Sequence, residues 1–544
     1  LTRMWWSLKL KKSLFCPTTF VSKFAGGAPG GSWNGNNWLI QQLAYVKINQ
    51  GENNNRAVVV TGAFTNLWFE KIPGSGGSYR NTFGGRSELI QDYSTNELVL
   101  ILPDGGRKVF FDYSVGVVPS KRGRLKYIQN RSGNQNWIDY HTDGRVEKMY
   151  FSDGTQGMDF QYSYYGSGTN KSGRLQYVTQ IRNGVNLRRV FYDYYLDGDV
   201  GGNNGNLKES IVEEWDAASS SWKQLRQKAF RYYTSGNSSG LLKYVFSPEG
   251  CAQIALAPGN LNPTTSNEDD VKQYSQYYFS YDDQKRVTFE EVRGRTEAYQ
   301  FSYLDSSSPG TFADVNRWAT KTVEKRPDGN KKTVYSNLGG KPILNILERV
   351  SDGAQWYRYR NYNEEYRTTK LASSSAILSV DQPTSVSGTL TVNFKSQNEL
   401  GPGEGLINVF EYNDMISPTA PGFLSKTGHR RGNSGALQYQ SSYDYGSFSS
   451  GTNGKKVFPL TSKFEDNGDG NTSVYSMSYK FHGEISSIGT IPGGSGSTTG
   501  PANDIRFDRV FEQNLNWYDN ASNVIQTSRS ERFHDAQGLG ELKG

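Results

Sequence analysis

Short strand-like runs separated by tight turns constrain the fold of this chain more than any other feature. In WIDYHTDGRVEKMYFSDGTQ, residues 137–156, two Asp-Gly pairs stand ten positions apart with aromatic and β-branched residues between them. Asp-Gly supplies the positive φ angles that a tight hairpin turn needs. Residues 103–106, Pro-Asp-Gly-Gly, predict another such turn between two strand-like runs. The pattern predicts a series of antiparallel hairpins.

A cassette of glycine, one variable residue and an aliphatic residue recurs in the first half of the chain. Its glycines are Gly123, Gly144, Gly173, Gly205 and Gly240, at intervals of 21, 29, 32 and 35 residues. The unequal intervals indicate that the extra residues lie in turns. Because a single hairpin is marginally stable, the repetition predicts stacked hairpins that share a continuous core.

The composition favours a folded, all-β chain with very little helix. Aromatic residues make up 13% of the 544 residues, which is far above the level of disordered chains. Glycine, at 60 residues, is also abundant, and Tyr, Gly, Asn and Ser suit strands joined by tight turns. The charge is nearly balanced, with 60 basic and 53 acidic residues. This balance argues against a nucleic-acid partner.

Cysteine usage and hydropathy give only coarse information. Cys16 and Cys251 cannot form a disulfide framework, and whether they pair is left open. No apolar run approaches the roughly 18 residues of a transmembrane segment. The chain begins with leucine, so we expect it to be a piece of a longer protein. The expected location is extracellular or in the cell envelope, with any export signal outside this sequence.

Several copies of the cassette extend to a Tyr-Asp-x-x-Gly-Arg-Leu pattern and resemble the RHS/YD-repeat family. The matching residues are Tyr140, Asp143, Gly144, Arg145 and Val146; Gly173, Arg174 and Leu175; and Tyr281, Asp282, Asp283, Arg286 and Val287, with Lys285 where glycine is expected. Residues 320–377 look like a bacterial subgroup of these proteins, with a hairpin turn at Asp328 and Gly329. The resemblance covers residues 85–540 as the sum of many weak copies.

The resemblance implies a long β-sheet wound into a spiral that forms a hollow shell. In relatives the shell encloses a C-terminal toxin or forms the barrel of animal adhesion receptors. The expected partners are therefore an enclosed cargo polypeptide or other copies of the chain. Toxin-cage relatives carry an autoproteolytic Asp-Pro-x-Gly segment, and this chain has no Asp-Pro dipeptide. We therefore expect no self-cleavage.

The predicted organisation is an N-terminal cap or plug over residues 1–85 and a continuous YD-repeat sheet over residues 86–544. Two Gly/Ser-rich tracts, at 447–456 and 492–504, interrupt the strand pattern. Since strand-like sequence flanks both, we favour long surface loops over domain linkers.

Motifs that could carry catalysis have a structural interpretation that is favoured in each case. Residues 236–240 satisfy Gly-x-Ser-x-Gly, but a strand-like run follows instead of the helix that a nucleophile elbow needs. Three acidic pairs, at 213–214, 290–291 and 364–365, lie in strand-like sequence, where neighbours point to opposite faces. The four histidines are scattered singly: His141, His429, His482 and His534. No catalytic residue and no cofactor is predicted.

Calcium is the one metal that the sequence suggests. Two oxygen-rich loops offer ligands, the first with Asp197, Asp199 and Asn203 and the second with Asp466, Asn467, Asp469 and Asn471. The same residue types are needed for hairpin turns, so the turn interpretation is favoured.

The sequence leaves three functions open. The first is a structural, non-catalytic shell or surface protein that encloses cargo or builds an assembly. The second is a carbohydrate-binding or adhesion module that uses exposed aromatics, with surface glycans as partners. Its candidate residues are Trp5, Trp6, Trp33, Trp38, Trp137, Trp356 and Tyr357. The third is a β-rich polysaccharide hydrolase or lyase, for which no residues can be named.

Overall fold

The structure is a computed structural model, and it describes the chain in a series of ranges. These are residues 18–20, 33–36, 38–40, 43–48, 55–61, 66–102, 106–130, 135–151, 157–292, 294, 296–414, 420–449, 456–466, 468, 472–482, 509–518 and 524–531.

The regular secondary structure of the described chain consists almost entirely of strands, and the strand pairs described below are antiparallel. The strands of the first half are β1 Thr18–Phe20, β2 Trp38–Ile40, β3 Tyr45–Ile48, β4 Arg56–Val60, β5 Asn66–Lys71, β6 Ser78–Asn81, β7 Glu88–Asp92, β8 Glu97–Ile101, β9 Arg107–Phe111, β10 Leu125–Gln129, β11 Gln135–Tyr140, β12 Val146–Phe151, β13 Met158–Tyr164, β14 Leu175–Arg182, β15 Val185–Tyr194, β16 Leu207–Asp216, β17 Ser221–Tyr232 and β18 Leu242–Phe246. The strands that follow are β19 Tyr277–Tyr281, β20 Val287–Val292, β21 Glu297–Asp305, β22 Thr320–Lys325, β23 Lys331–Ser336, β24 Pro342–Glu348, β25 Gln355–Tyr362, β26 Thr368–Ala372, β27 Ile377–Asp381, β28 Thr391–Phe394, β29 Leu406–Tyr412, β30 Leu424–Arg431, β31 Gln438–Tyr445, β32 Phe448–Ser449, β33 Lys456–Val457, β34 Leu460–Asp466, β35 Thr472–His482, β36 Arg509–Tyr518 and β37 Val524–Glu531.

Helices are few and short in these ranges. Helix α1, Pro248–Leu256, begins where the Ser247 side chain accepts a hydrogen bond from the Gly250 amide, with proline in the first turn. Helix α2 is Glu268–Val271, and short 3-10 turns occur at Pro119–Lys121, Lys272–Tyr274, Ser374–Ala376 and Gln397–Glu399. At nine and four residues, neither described helix is long enough to cross a bilayer.

The chain divides into two compact units. The first unit consists of residues 1–304, 321–333 and 347–354, and the second of residues 305–320, 334–346 and 355–544. In the first unit the strands from β3 to β21 pair in chain order, each with the strand before and the strand after it. Strands β1 and β2 form a separate pair.

In the second unit strand β26 pairs with β25 and β29, and the series continues through β30, β31, β34, β35, β36 and β37. Two hairpins are inserted into this series: β27 pairs with β28, and β32 pairs with β33.

Alternating burial along the strands shows how the pattern builds the core of the first unit. In β8, Leu98 and Leu100 are fully buried while the residues between and beside them are partly exposed. Side chains alternate between the two faces of a strand, so one face packs in the core while the other stays partly exposed. Buried Leu89, Phe110 and Leu125 from the neighbouring strands belong to the same cluster.

The prediction of an all-β chain of antiparallel hairpins with very little helix is confirmed. The paired series begins at Tyr45, inside the range predicted to be a cap or plug, and the boundary at residue 85 stays a prediction. Around 447–456, strands β32 and β33 form a small pair, and residues 450–455 between them lie outside the described residues. The tract at 492–504 and the predicted turn residues 103–105 also lie outside them.

Candidate functional site: the repeated hairpin closure

Hairpins in both units end in the same backbone closure. In the copy at Gly144, the His141 amide donates to the Arg145 carbonyl at 2.8 Å, and the Gly144 amide donates back to the His141 carbonyl at 2.9 Å. The same pair of bonds joins Tyr195 to the segment Gly205-Asn206. Two residues separate His141 from Gly144, whereas nine separate Tyr195 from Gly205. The closure is therefore independent of loop length, which accounts for the unequal cassette intervals.

After the closures at Gly144 and Gly205, a register shift aligns a tyrosine with the first residue of the next strand. Tyr140 pairs with Val146, and Tyr194 with Leu207, after the shift. Such a β-bulge leaves one extra residue on one strand and increases the local twist.

A tyrosine hydroxyl links each of these hairpins to the previous one. In nine places among the described residues, a tyrosine at or near a strand end donates to the backbone carbonyl of the first residue of the preceding strand, at 2.6–2.9 Å. The pairs, donor first, are Tyr140 and Leu125, Tyr164 and Val146, Tyr194 and Leu175, Tyr232 and Leu207, Tyr281 and Leu242, Tyr303 and Val287, Tyr362 and Pro342, Tyr412 and Thr368, and Tyr445 and Leu424. We call this set the tyrosine ladder.

Burial sets the ionisation state of the ladder. Desolvation raises the pKa of Tyr362 to about 12, and it raises the pKa of Tyr140, Tyr194 and Tyr232 further above the usual value of a phenol. The hydroxyls therefore stay protonated throughout the physiological range and keep donating to the carbonyls.

The arginine after the positive-φ turn residue, which is glycine in three of five copies, stacks on the ladder tyrosine of the next hairpin. The guanidinium of Arg145 lies 4.6 Å from the ring centroid of Tyr164, and that of Arg286 lies 4.3 Å from the ring centroid of Tyr303. Three more copies have the same contact at 5.6–5.8 Å: Arg124 with Tyr140, Arg174 with Tyr194, and Arg367 with Tyr412. Each cation–π contact contributes about 0.5–1 kcal/mol where it is exposed. The Gly-Arg-Leu cassette thus uses glycine for the turn, arginine for the ring and the carbonyl of leucine for the hydroxyl.

An acidic side chain caps the turn from either of two positions. Asp143, directly before the glycine, accepts hydrogen bonds from the Arg145 amide and from its Nε at 2.9 and 2.7 Å. Asp282, directly after the tyrosine, accepts the equivalent bonds from Arg286 at 2.8 and 2.7 Å. Lys285 takes the place of glycine in this copy with φ of 63°. The carboxylate cap therefore helps to hold a conformation that a lysine otherwise avoids.

Replacing Tyr164 with phenylalanine is expected to lower the free energy of unfolding by about 1–2 kcal/mol, because the Val146 carbonyl loses its hydroxyl donor. Tyr162, two residues earlier in the same strand and buried, makes no hydrogen bond through its hydroxyl to a described residue. Tyr162→Phe is the matched control, with an expected change below about 0.5 kcal/mol. Urea unfolding of both variants followed by tryptophan fluorescence measures the difference; equal changes would show that the ladder bond contributes nothing.

The predicted calcium loops do not converge on one ion position in the described residues. Asp197 accepts a hydrogen bond from the Asn204 side chain, and Asp199 accepts one from the Leu196 amide. Asp466 accepts a bond from the Gly468 amide, while Asn467, Asp469 and Asn471 lie outside the described residues. These contacts are those of turns, and calcium binding stays a prediction.

The Gly-x-Ser-x-Gly segment is the loop between β17 and β18, as expected. Ser239 accepts a hydrogen bond from the Asn203 side chain at 2.9 Å, and a strand follows Gly240. His141 and His429 lie in different units, His482 ends β35, and His534 and Cys16 lie outside the described residues. Cys251 is buried in α1, where burial raises the pKa of its thiol to about 12.

The three acidic pairs have different surroundings. Glu213 and Glu214 form ion pairs with Arg189 and Arg188, their cross-strand neighbours on β15. The placement of 364–365 in a strand was wrong: these residues lie in the turn between β25 and β26, where the backbone reverses before Tyr366. In the remaining pair, Glu290 and Glu291 are both buried within β20.

The candidate glycan-stacking aromatics are distributed between core and surface. Trp38 is buried and donates to the Tyr232 hydroxyl, and Trp137 packs on Tyr127. Arg124 stacks on Trp33, Tyr357 packs in the second unit, and Trp356 is 44% exposed. Trp5 and Trp6 lie outside the described residues.

The sequence motif identified Tyr140 and Tyr281 but missed the ladder residues Tyr164, Tyr194 and Tyr232. A usable signal exists in the Tyr-Tyr pairs at 164–165, 194–195 and 232–233, because the second tyrosine of each pair opens the closure. The long loops hide this signal from a motif of fixed spacing.

No protein-family model matches the chain, and no curated protein matches it. Among solved structures, the chain is similar to the crystal structure of TcdB2-TccC3-TEV, with a TM-score of 0.27 and 10% identity over 90% of this chain and 28% of that one. It is also similar to the Photorhabdus luminescens Tc holotoxin pore, with a TM-score of 0.28 and 12% identity over 88% of this chain and 23% of that one. The chain thus spans less than a third of either length.

Proposed function

We propose that the chain is a structural, non-catalytic wall of the RHS/YD-repeat type, located outside the cell or in the cell envelope. Its role is to enclose a cargo polypeptide or to build an assembly from copies of itself. The observation that carries the proposal is the tyrosine ladder together with the arginine stacks, because both join one hairpin to the next by the same contacts in both units.

The closure geometry suits a wall because it separates the strand array from the loops. The same closure bonds recur from hairpin to hairpin, whereas the loop between the two closure residues contains from two to nine residues. Insertions therefore leave the sheet unchanged. Repeat architectures accept variation in this way, since per-repeat insertions appear as loops.

The ladder also strengthens the sheet between hairpins. A buried hydrogen bond contributes about 1 kcal/mol, and a strand inside the series has partners on both sides, which removes free edges. Several such bonds in a row make separation of adjacent hairpins costly. This is the mechanical property that a wall around a cargo needs.

Electron microscopy of the native, full-length particle tests the proposal. A closed particle with density inside would support enclosure, and filaments or a lattice would support a building block. A small compact particle without an interior space and without self-assembly at micromolar concentration would overturn the structural role. A variant with Tyr164, Tyr194 and Tyr232 all changed to phenylalanine should yield fewer intact particles than one with Tyr162→Phe.

A further inference from the structure

A pocket in the second unit combines cationic, acidic and amide side chains. Its cavity of about 580 Å³ lies beside strands β26, β29 and β30. The side chains that the argument uses are Lys370, Arg430, Glu365, Glu411 and Asp414. A volume of this size falls in the range of small-ligand sites.

The strand register places two cations on the same face of the sheet. Lys370 pairs with Val409, which pairs with Gly428. Arg430 stands two residues beyond Gly428, so its side chain shares that face.

Both cations contact one neutral oxygen. Lys370 Nζ donates to Asn433 Oδ1 at 3.1 Å, and Arg430 Nη2 donates to the same atom at 3.2 Å. Neither cation forms an ion pair with a described residue, and Arg430 Nε is buried without a hydrogen-bond partner. Burial and the nearby Arg430 charge lower the pKa of Lys370. An anionic group would satisfy the guanidinium and offset the repulsion between the two charges.

Carboxylates stand at other positions of the pocket. Glu411, two residues beyond Val409 on the same face of β29, accepts a hydrogen bond from the Tyr439 hydroxyl at 2.6 Å. Glu365 and Asp414 have no ion-pair partner among the described residues. The pocket therefore offers cations for an anionic group and acceptors for several hydroxyl donors.

We propose that this pocket binds a sugar that carries an anionic group, as a carboxylate or a sulfate. Lys370 and Arg430 hold the anionic group, and Glu365, Glu411 and Asp414 accept hydrogen bonds from the sugar hydroxyls. An inorganic anion would use only the cations, and a neutral sugar only the acceptors. The pocket shares Tyr412 with the tyrosine ladder and would give the wall a surface that recognises acidic glycans.

Isothermal titration of the full chain with a glucuronic acid oligosaccharide, a sulfated disaccharide, a neutral glucose oligosaccharide and sodium sulfate tests the proposal. We expect one or both acidic sugars to bind at least tenfold more tightly than the neutral sugar and the inorganic ion. Lys370→Gln and Arg430→Gln should each weaken this binding at least tenfold. Arg358→Gln is the matched control, because Arg358 is exposed on β25, on the opposite face of the sheet from Lys370 and outside the pocket lining.

The variant Asn433→Asp tests whether Lys370 and Arg430 bind a ligand or only stabilise the fold. An aspartate between Lys370 and Arg430 supplies an internal anion, so the variant should be at least as stable as the wild-type chain and should lose acidic-sugar binding. Absence of binding at millimolar concentration, or binding that Lys370→Gln and Asn433→Asp both leave unchanged, would overturn the site. Sulfate binding as tight as that of the acidic sugars would overturn the assignment to a sugar.

Discussion

Replacing Glu290 with glutamine is expected to remove a loss of stability that the wild-type chain undergoes as the pH rises from about 4.5 to about 8. Glu290 has no exposed surface, and neither oxygen of its carboxyl group has a hydrogen-bond partner. Burial, and after it the charge of Glu324, raise the pKa of Glu290 to about 8. Glutamine is neutral at every pH and has nearly the same shape, so it removes the titration while preserving the packing.

The surroundings of Glu290 explain why its ionised form is unfavourable. On the flanking strands it stands opposite Phe279 of β19 and Tyr299 of β21. Among the titratable groups that sense it are Tyr281 and Tyr299, whose pKa values are raised by their own burial and by this carboxylate. Glu324 is already paired with Arg326, at 3.1 Å. Arg326 is therefore already engaged by another carboxylate.

The direction of the pH effect follows from proton binding. Between pH 4.5 and 8 the folded chain keeps a proton on Glu290 that the unfolded chain has lost, so stability is full below pH 4.5 and declines as the pH rises. Above pH 8 the accumulated loss is on the order of 3–5 kcal/mol. A buried carboxylate near Arg or Lys would show the opposite trend.

Thermal unfolding of wild-type chain and Glu290→Gln at pH 5, 7 and 9 measures this difference. The two should be similar at pH 5, and the variant should be clearly more stable at pH 9. Glu291→Gln, on the opposite face of the same strand, is the control and should retain the wild-type decline. Glu324→Gln should recover a smaller part of the loss than Glu290→Gln. Parallel pH profiles for wild type and Glu290→Gln would contradict the buried, unpaired state of this carboxyl.

The alternation of apolar and polar residues sufficed to predict the fold class. A hydrophobic period of two residues, together with frequent turn residues, leaves few alternatives to antiparallel hairpins. The cassette glycines were correctly identified as turn positions, with Gly144 and Gly173 at φ of 86° and 77°. The roles of arginine and tyrosine were out of reach, because they depend on which strand follows the loop and not on spacing along the chain.

Residues that look equivalent in the sequence also differ through contacts made over long distances. Glu290 and Glu213 both begin acidic pairs in strands, yet Glu213 pairs with Arg189 while Glu290 is buried without a partner. The pocket in the second unit brings together Lys370 and Arg430, which stand sixty residues apart in the sequence. Neither the difference between the two glutamates nor the proximity of the two cations can be recognised from a local sequence pattern.

Gly123 and Gly173 also look equivalent in the sequence but differ in their contacts. Replacement with alanine is expected to lower the free energy of unfolding far more at Gly123 than at Gly173. Both begin the tripeptide Gly-Arg-Leu, and their φ angles are 73° and 77°. Alanine in this left-handed region costs about 1–2 kcal/mol at either site. At Gly173 nothing lies within 4 Å of an added Cβ, so no further cost arises.

At Gly123 the added Cβ would lie 2.2 Å from the Val46 carbonyl oxygen and 2.5 Å from the Tyr113 hydroxyl. These two groups bond each other at 2.7 Å, and the Val46 amide donates to the Gly123 carbonyl at 2.8 Å. Backbone atoms on a packed strand cannot retreat, so β3 would have to shift away from this turn. Overpacking of this kind adds about 1–3 kcal/mol to the conformational cost.

Urea unfolding of Gly123→Ala and Gly173→Ala therefore compares one change in one tripeptide at two places. We expect losses of about 2–5 kcal/mol for Gly123→Ala and about 1–2 kcal/mol for Gly173→Ala. Equal losses would mean that β3 does not pack against the turn at Gly123, and the strand series of the first unit would then begin later than Tyr45. A larger loss at Gly123 would establish that the residues before position 85 are joined to the hairpin array, since Val46 supplies the contact that distinguishes the two sites.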